Sequence, residues 1–221
     1  MSAALVLPDE SESDDGEYAA RTARSRAFGS VLAPEPWECA PVWDGPVPGS
    51  GRRPAGWLLG AHGGAGVSTL AQMMAPLGDC HRRWPLGRGG ESPLVVIVVR
   101  ETIPGLVQAH SLLRQYHCGM AGPGARLLGM ISVANRPGRS SRSIRRYLDL
   151  VQQLVPEQGR WQLDWQDEWP QTKITELPTW QPRSQAPEKG TDPLRAIRPL
   201  AEELFTVIRS EFDIIKEGTP R

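Results

Sequence analysis

The sequence predicts a three-layer α/β domain, in which helices flank a parallel sheet of about four or five strands. From Gly56 onward, short apolar runs typical of strands alternate with amphipathic segments of helical period, and this order builds parallel sheets. One run, Leu94–Val99, is apolar throughout, as expected for a strand covered by helices on both faces. With 221 residues in the chain, we expect one such domain, over residues 55–216.

Residues 1–54 are predicted to form an acidic, proline-rich, flexible N-terminal tail. They hold nine acidic side chains and seven prolines, and they show no sustained apolar period. Such a segment buries too little apolar surface to offset the entropy that is lost on ordering. Two apolar patches, near Val31 and over residues 37–43, leave open that part of the tail docks on the domain or on a partner.

The first half of the domain is predicted to contain two strands, each followed by a helix. The strands cover residues 56–61 and 94–99. The first helix, residues 68–74, directly follows a glycine-rich segment. The second helix begins near Pro104, since proline is favoured in a first helical turn, and it ends before Gly119.

The second half continues the alternation of strands and helices. Its predicted elements are a strand at 126–135, a helix with an apolar stripe at 140–154, and an alternating strand at 160–165. Residues 166–192 are rich in tryptophan and proline, and we expect an ordered loop laid over the core. A last amphipathic helix, residues 193–215, is predicted to pack on the sheet.

The segment GAHGGAGVST, residues 60–69, joins the first predicted strand to the first helix. Glycines in such a turn allow the backbone to approach a phosphate group and present several N–H donors to it. In a loop of this kind the hydroxyl of Ser68 would coordinate magnesium, and Thr69 would reach another phosphate oxygen. The spacing therefore indicates a phosphate-binding loop.

This segment resembles the deviant Walker-A loop of the ParA/MinD family of P-loop ATPases, which reads KGGxGK[ST]. The corresponding residues are His62, Gly63, Gly64, Ala65, Gly66, Val67, Ser68 and Thr69, and the glycines and hydroxyls match. The resemblance extends to the strand and helix at 93–113 and to LLGMISVANRPG, residues 127–138. It implies that ATP and magnesium bind at the loop, that Ser68 is the magnesium ligand, and that Asn135 and Arg136 contact the base.

Both lysines of the family pattern are missing, because His62 and Val67 stand in their places. No Asp-x-Pro follows an apolar strand, and Asp79 is the nearest acid that could mimic a switch aspartate, although a loop carboxylate at a turn is more often a solvated or capping residue. Phosphoryl transfer depends on cations fixed around the transferred phosphate, so we expect weak or absent ATPase activity. The sequence leaves three states of the loop open: efficient hydrolysis, nucleotide binding without efficient turnover, and an empty loop kept for its fold.

We therefore expect a degenerate ParA/MinD-like protein that acts as an interaction or regulatory subunit. Its setting in DNA partition, positioning or transfer is implied by the resemblance alone. One alternative is an ATP-binding ATPase that uses main-chain amides and Ser68. A second alternative is a DNA-binding accessory factor.

The DNA-binding alternative depends on a basic segment, Asn135–Tyr147, in which no acid occurs. Its predicted basic patch consists of Arg139, Arg142, Arg145 and Arg146. Such a patch binds a phosphate backbone or an acidic partner, although a solvated basic face explains it equally. The segment Asp164–Pro170, with two tryptophans among acids, is predicted to be an exposed protein contact. A homodimer is left open.

Composition gives no overall preference for a partner, because 25 basic side chains balance 25 acidic ones. No apolar run approaches the length of a membrane span, and the first residues lack the features of a signal peptide. We therefore expect a cytoplasmic protein without a membrane span. The abundance of arginine, alanine, glycine and proline is typical of a GC-rich bacterial genome, and the lysine-less loop is similar to those of mobile-element proteins.

Overall fold

The protein folds around one five-stranded parallel sheet in a computed structural model that describes residues 31–49, 53–187 and 190–217. The strands are β1 (Gly56–Gly60), β2 (Leu77–Asp79), β3 (Leu94–Arg100), β4 (Arg126–Val133) and β5 (Arg160–Leu163). They lie in the order β2-β1-β3-β4-β5, and each neighbouring pair is parallel. The predicted parallel sheet of four or five strands is therefore confirmed.

Four helices cover the two faces of the sheet. They are α1 (Val67–Met73), α2 (Ile103–His117), α3 (Arg142–Gln152) and α4 (Arg198–Glu217). Side chains of β3 alternate between two buried clusters: Val96 and Val98 face the cluster that contains α1 and α4, whereas Val95, Ile97 and Val99 face the one that contains α2 and α3. This alternation explains why β3 is apolar from Leu94 to Val99 and confirms the three layers.

The largest differences from the predicted elements occur at two places, and the other boundaries differ by one or two residues. The short strand β2 was not predicted, because three residues with a glycine in the middle show no period. Helix α4 begins at Arg198 rather than 193, and turns occupy 193–197. The start at Arg198 places Pro199 in the first turn of the helix, where its missing backbone N–H is not needed.

Residues 31–49 pack against the domain, which corrects the prediction of a flexible tail for this part of 1–54. The buried amide of Gln115 in α2 accepts a hydrogen bond from the backbone N–H of Ala40 at 2.9 Å and donates one to the backbone oxygen of Ala40 at 2.8 Å. Trp43 donates its backbone N–H to Trp84 O at 2.9 Å, and Val47 is buried. These contacts join residues far apart in sequence, so local periodicity gives no sign of them. Residues 1–30 and 50–52 of the predicted tail lie outside the described residues.

Candidate functional site

The glycine-rich loop lies at the carboxyl end of β1, where the order of strands reverses. The chain leaves β1 toward β2 on one side, and β3 pairs with β1 on the other side. In open parallel sheets such a switch point forms a crevice outside the carboxyl ends of the strands, and ligands bind there. The fold therefore places residues 60–69 at the position where a ligand is expected.

The loop backbone is open to solvent at its tip. Gly64 and Gly66 have φ angles of 80° and 103°, which side chains disfavour, so glycine is needed at both positions. Gly63 and Gly64 are exposed, and a Cβ atom added at either one would meet no atom within 4 Å. Ala65 beside them is buried and anchors the loop in the core. The tip therefore leaves room for a ligand next to the backbone.

Val67 occupies the place of the family's phosphate-binding lysine, and its side chain faces the core. It is 9% exposed and belongs to the cluster that contains α1 and α4. Its Cγ2 lies 2.9 Å from the position that a Cβ atom of residue 60 would take, so Gly60 makes room for it. This position supplies packing and no charge.

His62, at the place of the signature lysine, ties the loop to β3. Its Nε2 accepts a hydrogen bond from the backbone N–H of Arg100 at 3.3 Å, and its Nδ1 lies 2.8 Å from Gly63 O. Both contacts are satisfied when the ring is neutral and Nδ1 bears the hydrogen. Gly105 leaves space for the ring, since a Cβ atom there would lie 2.7 Å from Nε2. His62 is therefore fixed within its own chain.

Ser68 and Asp79 meet beside the loop. The Ser68 hydroxyl donates to Asp79 Oδ2 at 3.3 Å, and the His81 backbone N–H donates to Oδ1 at 2.7 Å. Asp79 ends β2, and the pairing of β2 with β1 brings it to this position. A hydroxyl in the first helical turn after the loop and a carboxylate at the end of a neighbouring strand are the protein ligands that hold magnesium in P-loop enzymes. The donor set therefore fits the predicted metal.

A cavity of about 690 Å³ adjoins this pair and extends along the outer edge of β2. Its lining includes Ser68, Asp79, Gly78, Arg53 and Phe205. Across the described residues, no group of three His, Cys, Asp or Glu side chains forms a metal site. Ser68 and Asp79 together thus leave most of the coordination shell of a magnesium ion to water and ligand oxygens, as this ion prefers.

Arg100 is the residue of the site that sequence reasoning missed. It ends β3, and its Nη2 lies 3.7 Å from the position that a Cβ atom of Gly66 would take. Its Nη1 donates to Ala134 O at 3.1 Å. Burial lowers the pKa of its guanidinium group. The signal was present, since a charged residue directly follows a fully buried strand whose carboxyl end faces the switch point.

The two residues predicted to contact a base lie beyond the end of β4. Asn135 and Arg136 are exposed and line none of the cavities described for this part of the chain. Ala134, directly before them, lines two cavities. Their role toward a base stays a prediction.

The predicted basic patch is divided by the fold. Arg139, Arg142 and Arg146 are exposed, whereas Arg145 is half-buried and donates to the backbone oxygen of Ser140. Arg139 and Arg145 line a polar cavity of about 680 Å³ next to the buried carboxylate of Glu101. Arg142 and Arg146 therefore remain as a basic pair on the outer face of α3.

The tryptophans of Asp164–Pro170 are less exposed than predicted, and their role in a protein contact stays a prediction. Trp165 and Trp169 are half-buried, and both line a cavity of about 160 Å³ beside Arg100 and Gly66. Trp165 donates Nε1–H to Asp167 at 2.7 Å. Trp169 packs against the buried cluster that contains α1 and α4. The loop therefore lies over the carboxyl ends of β4 and β5, where Val133 and Leu163 line the same cavity.

Comparison with known proteins gives no match: no family model, no curated protein and no solved structure is similar to this chain. Within the described residues, no helix is both long and apolar enough to cross a membrane.

Proposed function

We propose that the protein binds a magnesium-complexed nucleotide at residues 62–69 without efficient turnover and acts as an interaction or regulatory subunit. The observation that supports this most directly is the contact between Ser68 and Asp79, 3.3 Å apart at the switch point. A serine hydroxyl next to a strand-end carboxylate serves magnesium chemistry, and structural packing does not require it because Ser68 is exposed.

The side chain of Val67 argues against efficient hydrolysis. A charge-assisted hydrogen bond is worth about 1.5–3 kcal/mol, and the family's lysine makes such bonds to the transferred phosphate. Val67 contributes none of this, since its methyl groups lie in the core. The proposed ligand therefore binds through backbone donors and the metal, and hydrolysis lacks a fixed cation at this place.

Calorimetric titration with ATP tests the proposal, with magnesium present or with magnesium chelated. We expect micromolar binding in magnesium, at least tenfold weaker binding for Ser68→Ala and Asp79→Asn, and negligible phosphate release. Ser143→Ala, an exposed serine on α3, is the matched control. Absence of binding in every condition would establish an empty loop. Rapid phosphate release that Ser68→Ala abolishes would establish the ATPase alternative.

The cellular setting of the proposal is DNA partition, positioning or transfer, in the cytoplasm of a bacterium and within a mobile element. It is supported by the resemblance of the loop and of residues 93–113 and 127–138 to the ParA/MinD family. A protein partner and a homodimer belong to the same proposal. Sedimentation of the purified protein, with and without ATP, tests the homodimer. A homodimer would sediment with twice the mass of the single chain.

DNA binding is a second candidate, and the exposed arginines on and near α3 favour it. Arg136, Arg139, Arg142 and Arg146 have no carboxylate within ion-pair distance in the described parts of the chain. Phosphate contacts make affinity fall steeply with salt. The double variant Arg142→Ala/Arg146→Ala should be retained less on DNA at low salt than the wild type. Its retention should also depend less on the salt concentration. Unchanged retention would exclude this face.

A further inference from the structure

Arg100 is half-buried and has no ionic partner among the described residues, unlike three other half-buried arginines. Arg114 lies 3.6 Å from Glu38, Arg126 lies 2.5 Å from Glu211, and Arg198 lies 2.7 Å from Asp192. Near Arg100, in contrast, no described carboxylate comes within ion-pair distance. A guanidinium group that is partly removed from water without a counter-charge is unfavourable, so its position calls for an anion.

The cavity beside Arg100 has the position and the lining for that anion. It measures about 160 Å³, and its lining includes Gly66, Thr69, Trp165 and Trp169. It shares Ala134, Asp164 and Trp165 with the polar cavity of about 680 Å³ at the ends of β4 and β5. A ligand with one anionic end can therefore place that end at Arg100 and extend its remainder over the sheet.

We propose that Arg100 binds a phosphate group of the ligand, from the β3 side of the loop and opposite Ser68 and Asp79. This inference rests on the proposed function for the identity of the ligand, but the contact itself needs no metal. Arg100 then supplies a cation on the β3 side of the loop, whereas the place of residue 67 still has none. Trp165 and Trp169 form the outer wall of this phosphate site.

The geometry of the guanidinium group suits this role. Nη1 is used by Ala134 O, so the group is held in place while Nη2, next to Gly66, and Nε are left to donate. Two such donors match two oxygens of a phosphate group in a way that an ammonium group does not. Arg100 is thus expected to contribute more to affinity than a lysine at the same position.

The test is calorimetric titration with inorganic pyrophosphate and with ATP, in EDTA, so that Ser68 and Asp79 have no metal to bind. We expect wild-type protein to bind both anions, Arg100→Gln to bind at least tenfold more weakly, and Arg100→Lys to lie between them. Arg209→Gln, an exposed arginine on α4, is the control and should match the wild type. Circular dichroism and melting temperature establish that each variant is folded.

A second measurement needs no variant. Phenylglyoxal modifies accessible arginines, and peptide mass spectrometry reports the extent at each position. Pyrophosphate should protect Arg100 and leave Arg209 unprotected.

The outcomes separate the two proposals. If Arg100→Gln binds pyrophosphate as the wild type does, or if the wild type binds no anion without metal, the inference is wrong. The inference is then wrong even if the wild type binds ATP in magnesium and Ser68→Ala weakens that binding. A second outcome is that Arg100→Gln weakens pyrophosphate binding, while magnesium does not strengthen ATP binding and Ser68→Ala has no effect on it. The proposed function is then wrong, and the phosphate site at Arg100 is confirmed.

Discussion

At the scale of single residues, Gly60 and Val67 share one space under the loop. A Cβ atom on Gly60 would lie 2.9 Å from Val67 Cγ2, which is closer than such contacts occur. We expect Gly60→Ala to lower the free energy of unfolding by about 1–3 kcal/mol through overpacking. Adding Val67→Ala should remove the clash, so the double variant should be more stable than the sum of the single effects by about 1 kcal/mol. Urea denaturation of all four proteins measures this, and additive effects would contradict the shared space.

The burial of Val67 also determines the effect of restoring the family's lysine. Because residue 67 is 9% exposed and faces the core, Val67→Lys places an ammonium group among apolar side chains. We expect a loss of about 2–4 kcal/mol in the free energy of unfolding and no gain in ATP affinity. Val107→Lys, at a valine of α2 that is 39% exposed, is the control and should change stability little. Tighter ATP binding at unchanged stability would show that residue 67 faces the ligand.

At the scale of elements, one amide group of α2 makes two of the hydrogen bonds that join residues 31–49 to the domain. Gln115, which is 2% exposed, accepts from Ala40 N and Trp84 Nε1 and donates to Ala40 O and Met120 O. Gln115→Leu keeps the volume but leaves these buried groups unpaired, so we expect a loss of about 2–4 kcal/mol. Urea denaturation measures the loss, and hydrogen exchange should accelerate at Ala40. Gln108→Leu, exposed on the same helix, should cause neither change.

Elements with a strong local pattern were predicted, and elements held by distant contacts were not. β3 is recognisable because seven buried or nearly buried positions follow one another. β2 has a single buried residue, Leu77, and exists because it pairs with β1. The docking of 31–49 likewise depends on Gln115 and Trp84, which are far away in sequence. Local propensity contains no information about such pairings.

At the scale of the whole molecule, the alternation of strands and helices predicts the layers, but it does not predict the strand order. That order decides which residues of the site meet. It places Asp79 against Ser68 on one side of the loop and Arg100 beside Gly66 on the other. The sequence therefore predicted the loop and the serine, whereas the two charged neighbours follow from the pairing of β2 and β3 with β1.

Two histidines link the stability of the whole fold to pH. Burial is the main cause that lowers the pKa of His110 and of His117 below their ordinary value of 6.5, and Arg114 lowers that of His110 further. Below pH 6.5 these two histidines bind protons more readily in the unfolded chain than in the folded chain. Protonation therefore favours unfolding. Stability should thus fall as the pH decreases from about 7.5 through the histidine range.

Urea midpoints between about pH 5.5 and 7.5 measure this dependence, in a range where most carboxylates stay ionised. We expect His110→Gln with His117→Gln to flatten the decline relative to the wild type. His81→Gln, at a largely exposed histidine outside the helices, controls for the substitution itself and should leave the decline as it is. An equally steep decline in the double variant would show that other groups take up the protons, and that burial of these two rings does not set the acid limit of the fold.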